Sequence, residues 1–513
     1  MLLSTLLSPY TLVAVVAVYF VLPYLKLWRL SDIPSPSVAA FTNLWLMLQA
    51  RRGQRSITVH EMHKKYGKMV RIGPNHISIA DDAAIQTIYA HGNGFLKADF
   101  YDAFVSIRRG LFNTRDRAEH TRKRKTISHT FSAKSIGEFE QYIHGNVELF
   151  VKQWNKLSDL EANPKTGYAS VDALNWFNYL AFDVIGDLAF GAPFGMLEKG
   201  QDIAEMRKSP DGPPTYVPAV EVLNRRGEVS ATLGCCPALI PFAKYIPDRF
   251  FKDGLEAVAN LAGIAIARVN ERLKPENMAN NTRVDLLARL MEGKDETGAT
   301  LGRQELTAEA LTQLIAGSDT TSNTSCAILY WALRTPGVIE KLHKALDKAI
   351  PQGIEVPSFA MVKEIPYLQW VIWETMRIHS TSSMGLPREI PAGNPPIEIC
   401  GHLFYPGDIL AVPAYTIHHS TEVWGPDADE FVPERWDPAR LTARQKAAFI
   451  PFSTGPRACV GRNVAEMELL VICGTFFRMF DYQLEQEGPM LCREGFLRKP
   501  LGLNVGIKRR VPA

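Results

Sequence analysis

The chain has 513 residues, 46% of them hydrophobic and 22% charged, the composition of a globular protein with a large core rather than of a disordered or fibrous one. Its 57 Lys and Arg against 54 Asp and Glu leave a net charge of +3, which excludes a nucleic-acid binder that works by bulk charge. The 7 cysteines are odd in number and scattered, only Cys235 and Cys236 being adjacent, so the sequence indicates neither a disulfide framework nor a zinc site, and a reducing compartment is expected.

Residues 1–25 carry no charged side chain and are rich in Leu, Val and Tyr, which predicts a bilayer-spanning anchor. Lys26 and Arg29 follow, then Arg51, Arg52 and Arg55, so the N-terminus is expected in the lumen and the body in the cytosol. A cleaved signal peptide would need a basic start and a small-residue cleavage site, and the run has neither. IPSPS at 33–37 makes 26–40 a basic, proline-stiffened hinge and leaves 41–513 as one body without a linker or repeat.

Within the body, 69–80 (MVRIGPNHISIA) alternates around Gly73-Pro74-Asn75 and predicts a hairpin. HTRKRK at 120–125 is basic; Arg122, Lys123 and Lys125 are expected either as a solvated face or as a docking surface for an acidic partner. The stretch 171–190 predicts an apolar helix capped by Gly191, and 254–273 an amphipathic one. Between them 213–245 is mixed and Pro-interrupted, with an apolar run at 235–246 that fits a core loop or a dip into a membrane surface equally well. A long helix over 307–333 carries AGSDTT (316–321). ETMR (374–377) puts Glu374 and Arg377 one turn apart, and 397–412 reads as a β region with turns at Gly401 and Pro406-Gly407. The fold class is therefore mainly α with a small β subdomain.

The most specific segment is FSTGPRACVG at 452–461. A lone cysteine in a Gly/Pro loop is ordinarily structural. Here Cys459 lies between Gly455 and Gly461, whose missing side chains permit a tight turn and a close approach. Amide N–H groups turned toward the sulfur would hold it as the thiolate that ligates haem iron. Arg457 can pair with a haem propionate, and Phe452 can shield the sulfur from water. In AGSDTT, Asp319 and Thr320 offer an acid and an alcohol for proton delivery; Thr320 can also bond back to its i−4 carbonyl, and Gly317 can open the helix surface for oxygen.

With FVPERW (431–436), these four segments in this order resemble the cytochrome P-450 superfamily of haem-thiolate monooxygenases over the whole chain. The resemblance implies the P-450 fold for 41–513 behind the N-terminal helix, haem b ligated by Cys459, and O2 with NADPH-derived electrons from a diflavin NADPH-cytochrome reductase. It implies His120, Arg124, Arg388 and Arg457 as propionate partners, and Glu374, Arg377 and Arg435 as a buried structural network. It makes 213–245 a lid and places the enzyme on the endoplasmic reticulum membrane by one span, touching membrane lipid. At finer grain, 93–125, 172–196, 315–331 and 374–396 are similar to one fungal branch, the benzoate 4-monooxygenases, which implies a small aromatic acid substrate. Alternatives are another phenolic or secondary-metabolite substrate, or haem-thiolate isomerase or dehydratase chemistry. For the substrate, the hydroxyls of Ser380, Thr381, Ser382 and Ser383, with Met384, would line the pocket and satisfy a carboxylate, unless they only bond their own backbone. The 97–109 loop adds Lys97, Arg108 and Arg109 near the pocket mouth, with Phe100, Tyr101 and Phe104 to stack on a ring.

Overall fold

One 32-residue helix, buried on most of its faces, organises the fold. The computed structural model describes residues 9–512, apart from 37, 129, 280–282, 284 and 296. The helices that frame the site are, in chain order, α1 (Pro9–Lys26), α2 (Arg117–Ser128), α3 (Ala173–Phe190), α4 (Ala219–Gly234), α5 (Arg249–Arg272), α6 (Arg303–Arg334), α7 (Pro366–Ile378) and α8 (Arg462–Met479). The long helix is α6. It is rich in Ser and Thr yet mostly buried, because several of its hydroxyls are satisfied one turn back. Thr307 donates to the Arg303 carbonyl at 2.7 Å, Thr312 to Ala308 at 2.9 Å and Ser318 to Leu314 at 2.7 Å. α3 and α8 pack against it and share one large apolar core with it.

Gly191 ends α3 as expected, at φ 84°, with its N–H on the Asp187 carbonyl. The helix starts only at Ala173, because Val171 and Asp172 belong to a strand and the Asp172 carboxylate caps the first turn through Leu174 N–H at 3.0 Å. α5 begins five residues before the predicted start, where Asp248 accepts from Phe250 N–H at 2.9 Å. The stretch 213–245 is more regular than its composition suggests. It holds α4, which buries Val222, Leu223, Val229 and Leu233 and packs along α5, followed by a 3-10 segment at Pro237–Tyr245. Phe242 and Tyr245 in that segment stand exposed.

The strands are β1 (Met69–Gly73), β2 (His76–Ile79), β3 (Leu96–Lys97), β4 (Ala169–Asp172), β5 (Arg388–Glu389), β6 (Ile409–Ala411), β7 (Phe480–Leu484) and β8 (Asn504–Arg509), with short hairpins besides. β1 and β2 form the predicted hairpin; the sheet then runs β2-β6-β5-β3, with β6 parallel to β2. Its last pairing sets Lys97 directly opposite Arg388. Two cations on neighbouring strands are a poor pair for a sheet alone. β7, β8 and β4 make a second sheet that ties the C-terminus to the entry of α3.

The expected span over 1–25 is not found: among the described residues no helix is long and apolar enough to cross a membrane. α1 has 18 residues, about 27 Å at 1.5 Å each, short of a ~30 Å hydrocarbon core. Met1 to Ser8 lie outside the described residues, as does Ser37 of the expected connector. The rest of that connector is not loose. Leu30, Ile33 and Ala39 are buried, and Arg29 grips the buried Asp408 through two bonds of 2.6 and 2.7 Å.

Candidate active site

A cavity of about 400 Å³ lies between α6 and the 452–461 loop. The loop is built from strained backbone. Ser453 has φ 57° and Gly455 φ 74°, and a Cβ at Gly455 would stand 1.7 Å from the Tyr89 carbonyl oxygen, so only glycine fits there. Cys459 N–H donates to the Phe452 carbonyl at 2.9 Å and closes the turn. The exposed face of Cys459 opens into the cavity, which it lines with Phe452 and Gly461. Enclosure within the protein pushes its thiol up, while the Gly461 N–H, Arg124 and Arg462 draw it down.

Lys97, His120, Arg124, Arg388 and Arg457 converge on one edge of this cavity. They come from β3, α2, β5 and the cysteine loop, and none has a carboxylate within ion-pair distance among the described residues. Their bonds go to neutral oxygens. Arg124 donates to the Ala458 carbonyl at 2.6 Å, Arg457 to Thr114 at 2.6 Å, Arg388 to the Tyr101 hydroxyl at 3.1 Å, and Lys97 to the Phe112 carbonyl. Burial and mutual repulsion hold His120 down to about 3 and Lys97 well below its usual value. A dianion at this edge would relieve both effects. A haem fits these residues: Cys459 would hold its iron, and this edge its two propionates. Lys97, expected beside the substrate, thus stands in register with Arg388 among the propionate partners.

The Thr320 hydroxyl lines the opposite wall and donates to the Ala316 carbonyl at 2.7 Å, the back-bond foreseen for it. Asp319 is buried and ion-paired with Lys499, which also reaches the Asn224 side chain. Gly317 does more than clear the helix surface: a Cβ there would meet Ile185 Cδ1 at 2.6 Å, so it lets α3 lie against α6. One acid was missed by sequence reasoning. Glu468 on α8 lines the cavity, accepts from Thr321 Oγ1 at 2.8 Å, and is pushed by burial up to about 7. Its only sequence signal is an acid placed among the apolar residues of α8.

In the 379–384 segment Ser380 and Ser383 turn their hydroxyls onto their own backbone, and Thr381 turns to α6. Ser380 donates to the Ser382 carbonyl at 3.2 Å, Ser383 to the Ser380 carbonyl, and Thr381 meets Thr324 Oγ1 at 3.1 Å. Thr381 and Ser382 line the cavity, whereas Met384 packs in the cluster of Phe100, Tyr101 and Phe104. Phe104, Phe112 and Phe496 form an aromatic corner, with centroids 5.1 to 5.7 Å apart.

The basic stretch is not a free face. Lys123 is buried and donates to Glu305 at 2.7 Å and Glu309 at 2.9 Å; Arg122 pairs with Glu119 and Glu305. Both are bolts between α2 and α6, leaving Lys125 exposed. In the loop before them Arg108 pairs with Glu305 and Arg109 with Asp102. Glu374 and Arg377, both fully buried, form a two-bond pair of 2.9 and 2.8 Å. Glu374 also accepts from Arg435 at 3.4 Å, Trp436 Nε1 at 2.9 Å and Val432 N–H at 3.0 Å.

A glycine-framed cysteine loop facing a polar helix across a cavity with a cationic edge is the arrangement of a haem-thiolate protein. The chain belongs to the cytochrome P-450 family: the family model described as Cytochrome P450 matches residues 34–507. Among its relatives, the chain is 78% identical to "Benzoate 4-monooxygenase bphA" of Aspergillus niger, over 99% of each chain. It is 30% identical to a "Cytochrome P450 monooxygenase" of Aspergillus terreus, over 93% of this chain and 95% of that one. It is 28% identical to "Cytochrome P450 monooxygenase gsfF" of Penicillium aethiopicum, over 94% of each.

Proposed function

We propose that this monooxygenase converts benzoate to 4-hydroxybenzoate, taking up O2, two electrons and two protons and releasing one water. The observation that carries the substrate is the end-to-end 78% identity to a protein of that name. When bound, the haem supplies the reductive activation of O2. The chain's own residues do the rest. Cys459 is the thiolate ligand, and Lys97, His120, Arg124, Arg388 and Arg457 hold the group's carboxylates. Phe452 keeps water from the sulfur. Thr320 hands a proton inward from its hydroxyl, and the Asp319 carboxylate, held by Lys499, relays a proton from solvent to replenish it. The aromatic corner keeps the ring flat and the site dry.

Electrons come from NADPH through a diflavin reductase. The enzyme sits at the endoplasmic reticulum membrane with its body in the cytosol; exposed Val13, Val15, Val18 and Leu25 on α1 support contact with lipid. The test is a benzoate titration of the haem enzyme followed by reductase-driven turnover. A high-spin spectral shift and 4-hydroxybenzoate as product are expected. Absence of both, with turnover of another phenolic compound, overturns the substrate.

A further inference from the structure

Of the nine basic side chains that line the cavity, eight have evident work and one does not. Arg108, Arg493 and Lys499 are neutralised by Glu305, Glu228 and Asp319. The five groups at the propionate edge serve the haem. Arg226, on α4, lines the cavity at 6% exposure and pairs with no carboxylate among the described residues. Its Nη2 donates to the Phe104 carbonyl at 2.9 Å, and its Nε is buried with no partner among the described residues.

A buried guanidinium left with one neutral acceptor and an empty N–H is expensive to keep. It stands across the Phe104–Phe112 pair from the propionate edge, whose Lys97 lies 4.4 Å from the Phe112 centroid. The aromatic corner adjoins it: the guanidinium carbon lies 5.4 Å from the Phe104 ring centroid, and Phe112 and Phe496 close the corner. A planar donor fork beside an aromatic slot matches a planar carboxylate on an aromatic ring.

We propose that Arg226 is the counter-ion that holds the carboxylate of the aromatic acid substrate, an inference that rests on the substrate reading above. Pinned there, a six-membered ring presents the carbon opposite its carboxylate to the far side of the pocket, so para attack follows from length. Ser380 and Ser383, turned onto their own backbone, and Thr381, bonded to Thr324, need take no part.

The experiment compares benzoate and benzamide titrations of the haem enzyme in wild type, Arg226→Gln, Arg226→Lys and Lys97→Met. Wild type is expected to favour benzoate. Arg226→Gln should raise the benzoate Kd roughly 10- to 100-fold, the worth of a hydrogen bond to a charged group, and leave benzamide unchanged. Arg226→Lys should recover part of the loss and mix meta with para product. An unchanged benzoate Kd in Arg226→Gln overturns the proposal, as does a selective benzoate loss in Lys97→Met instead. If the Gln variant takes up no haem, Arg226→Lys decides, and wild-type affinity with purely para product overturns the assignment. Wild type that binds no benzoate refutes the substrate reading itself, a result separable from every variant effect.

Discussion

A hydroxyl on a helix is ordinarily a detail, but Thr320 sits where its bond to the Ala316 carbonyl can be exchanged for one to a ligand in the cavity. Thr320→Ala is expected to keep haem and benzoate binding while coupling of NADPH use to product falls, with peroxide released. The loss of a positioned donor is worth about 10²–10⁴ in rate. Peroxide and product assays against NADPH consumption check it; wild-type coupling would move the proton role elsewhere. Glu468 makes a different prediction. Its native value of about 7 lies above the ordinary 4.5, so between those pH values the native state holds a proton that the unfolded chain has released. Stability therefore falls as pH rises through that window, by about 3 kcal/mol in all. Glu468→Gln should melt like wild type near pH 4.5 and increasingly above it toward pH 8, as paired thermal melts would reveal. Cys459, Arg457 and the Glu374–Arg377 pair were legible in the sequence because their meaning is carried by spacing within a few residues. Arg226 and Glu468 were not, since each acquires its meaning from what lies across the cavity, and nothing local marks it.

At the scale of elements, Gly317 sets how closely α3 and α6 approach. Gly317→Ala forces its methyl onto Ile185, which is itself buried, and should cost about 1–3 kcal/mol, the usual price of overpacking. Ile185→Ala in the same chain should return much of that, and a double-mutant cycle of melting temperatures tests the coupling. Additive losses would show that the helices do not feel the methyl. The same scale explains what sequence pattern could not deliver. The helix Ala219–Gly234 was hidden because prolines and charged residues flank it on both sides, and its apolar face is defined by partners distant in sequence, α5 and the segments 99–104 and 44–51. Lys123 looked solvent-facing because its partners Glu305 and Glu309 are about 180 residues on, a distance in sequence over which charge pattern says nothing.

For the whole molecule, the question is where the body begins. Proline spacing suggested a boundary near Pro34, yet Arg29 neutralises Asp408, whose buried carboxylate otherwise accepts, among the described residues, from Tyr405 N–H. A chain starting at Leu27 keeps Arg29 and should give up the Tyr24 ring contacts with Phe41 and Arg71. One starting at Pro34 should lose about 1–3 kcal/mol by stranding that carboxylate. Equal melting of both would mean that the Arg29 contact is not formed in solution. The same contact has a mechanical consequence. Tyr24 stacks on Phe41 at 4.5 Å, Arg71 lies over the Tyr24 ring at 5.5 Å, and Arg29 is clasped below them, so α1 is bolted at its base. A bolted arm transmits torque where a tether would let it slip. Whatever surface takes up the apolar arm therefore sets the tilt of the body as well, and arm and body must rotate together as one particle.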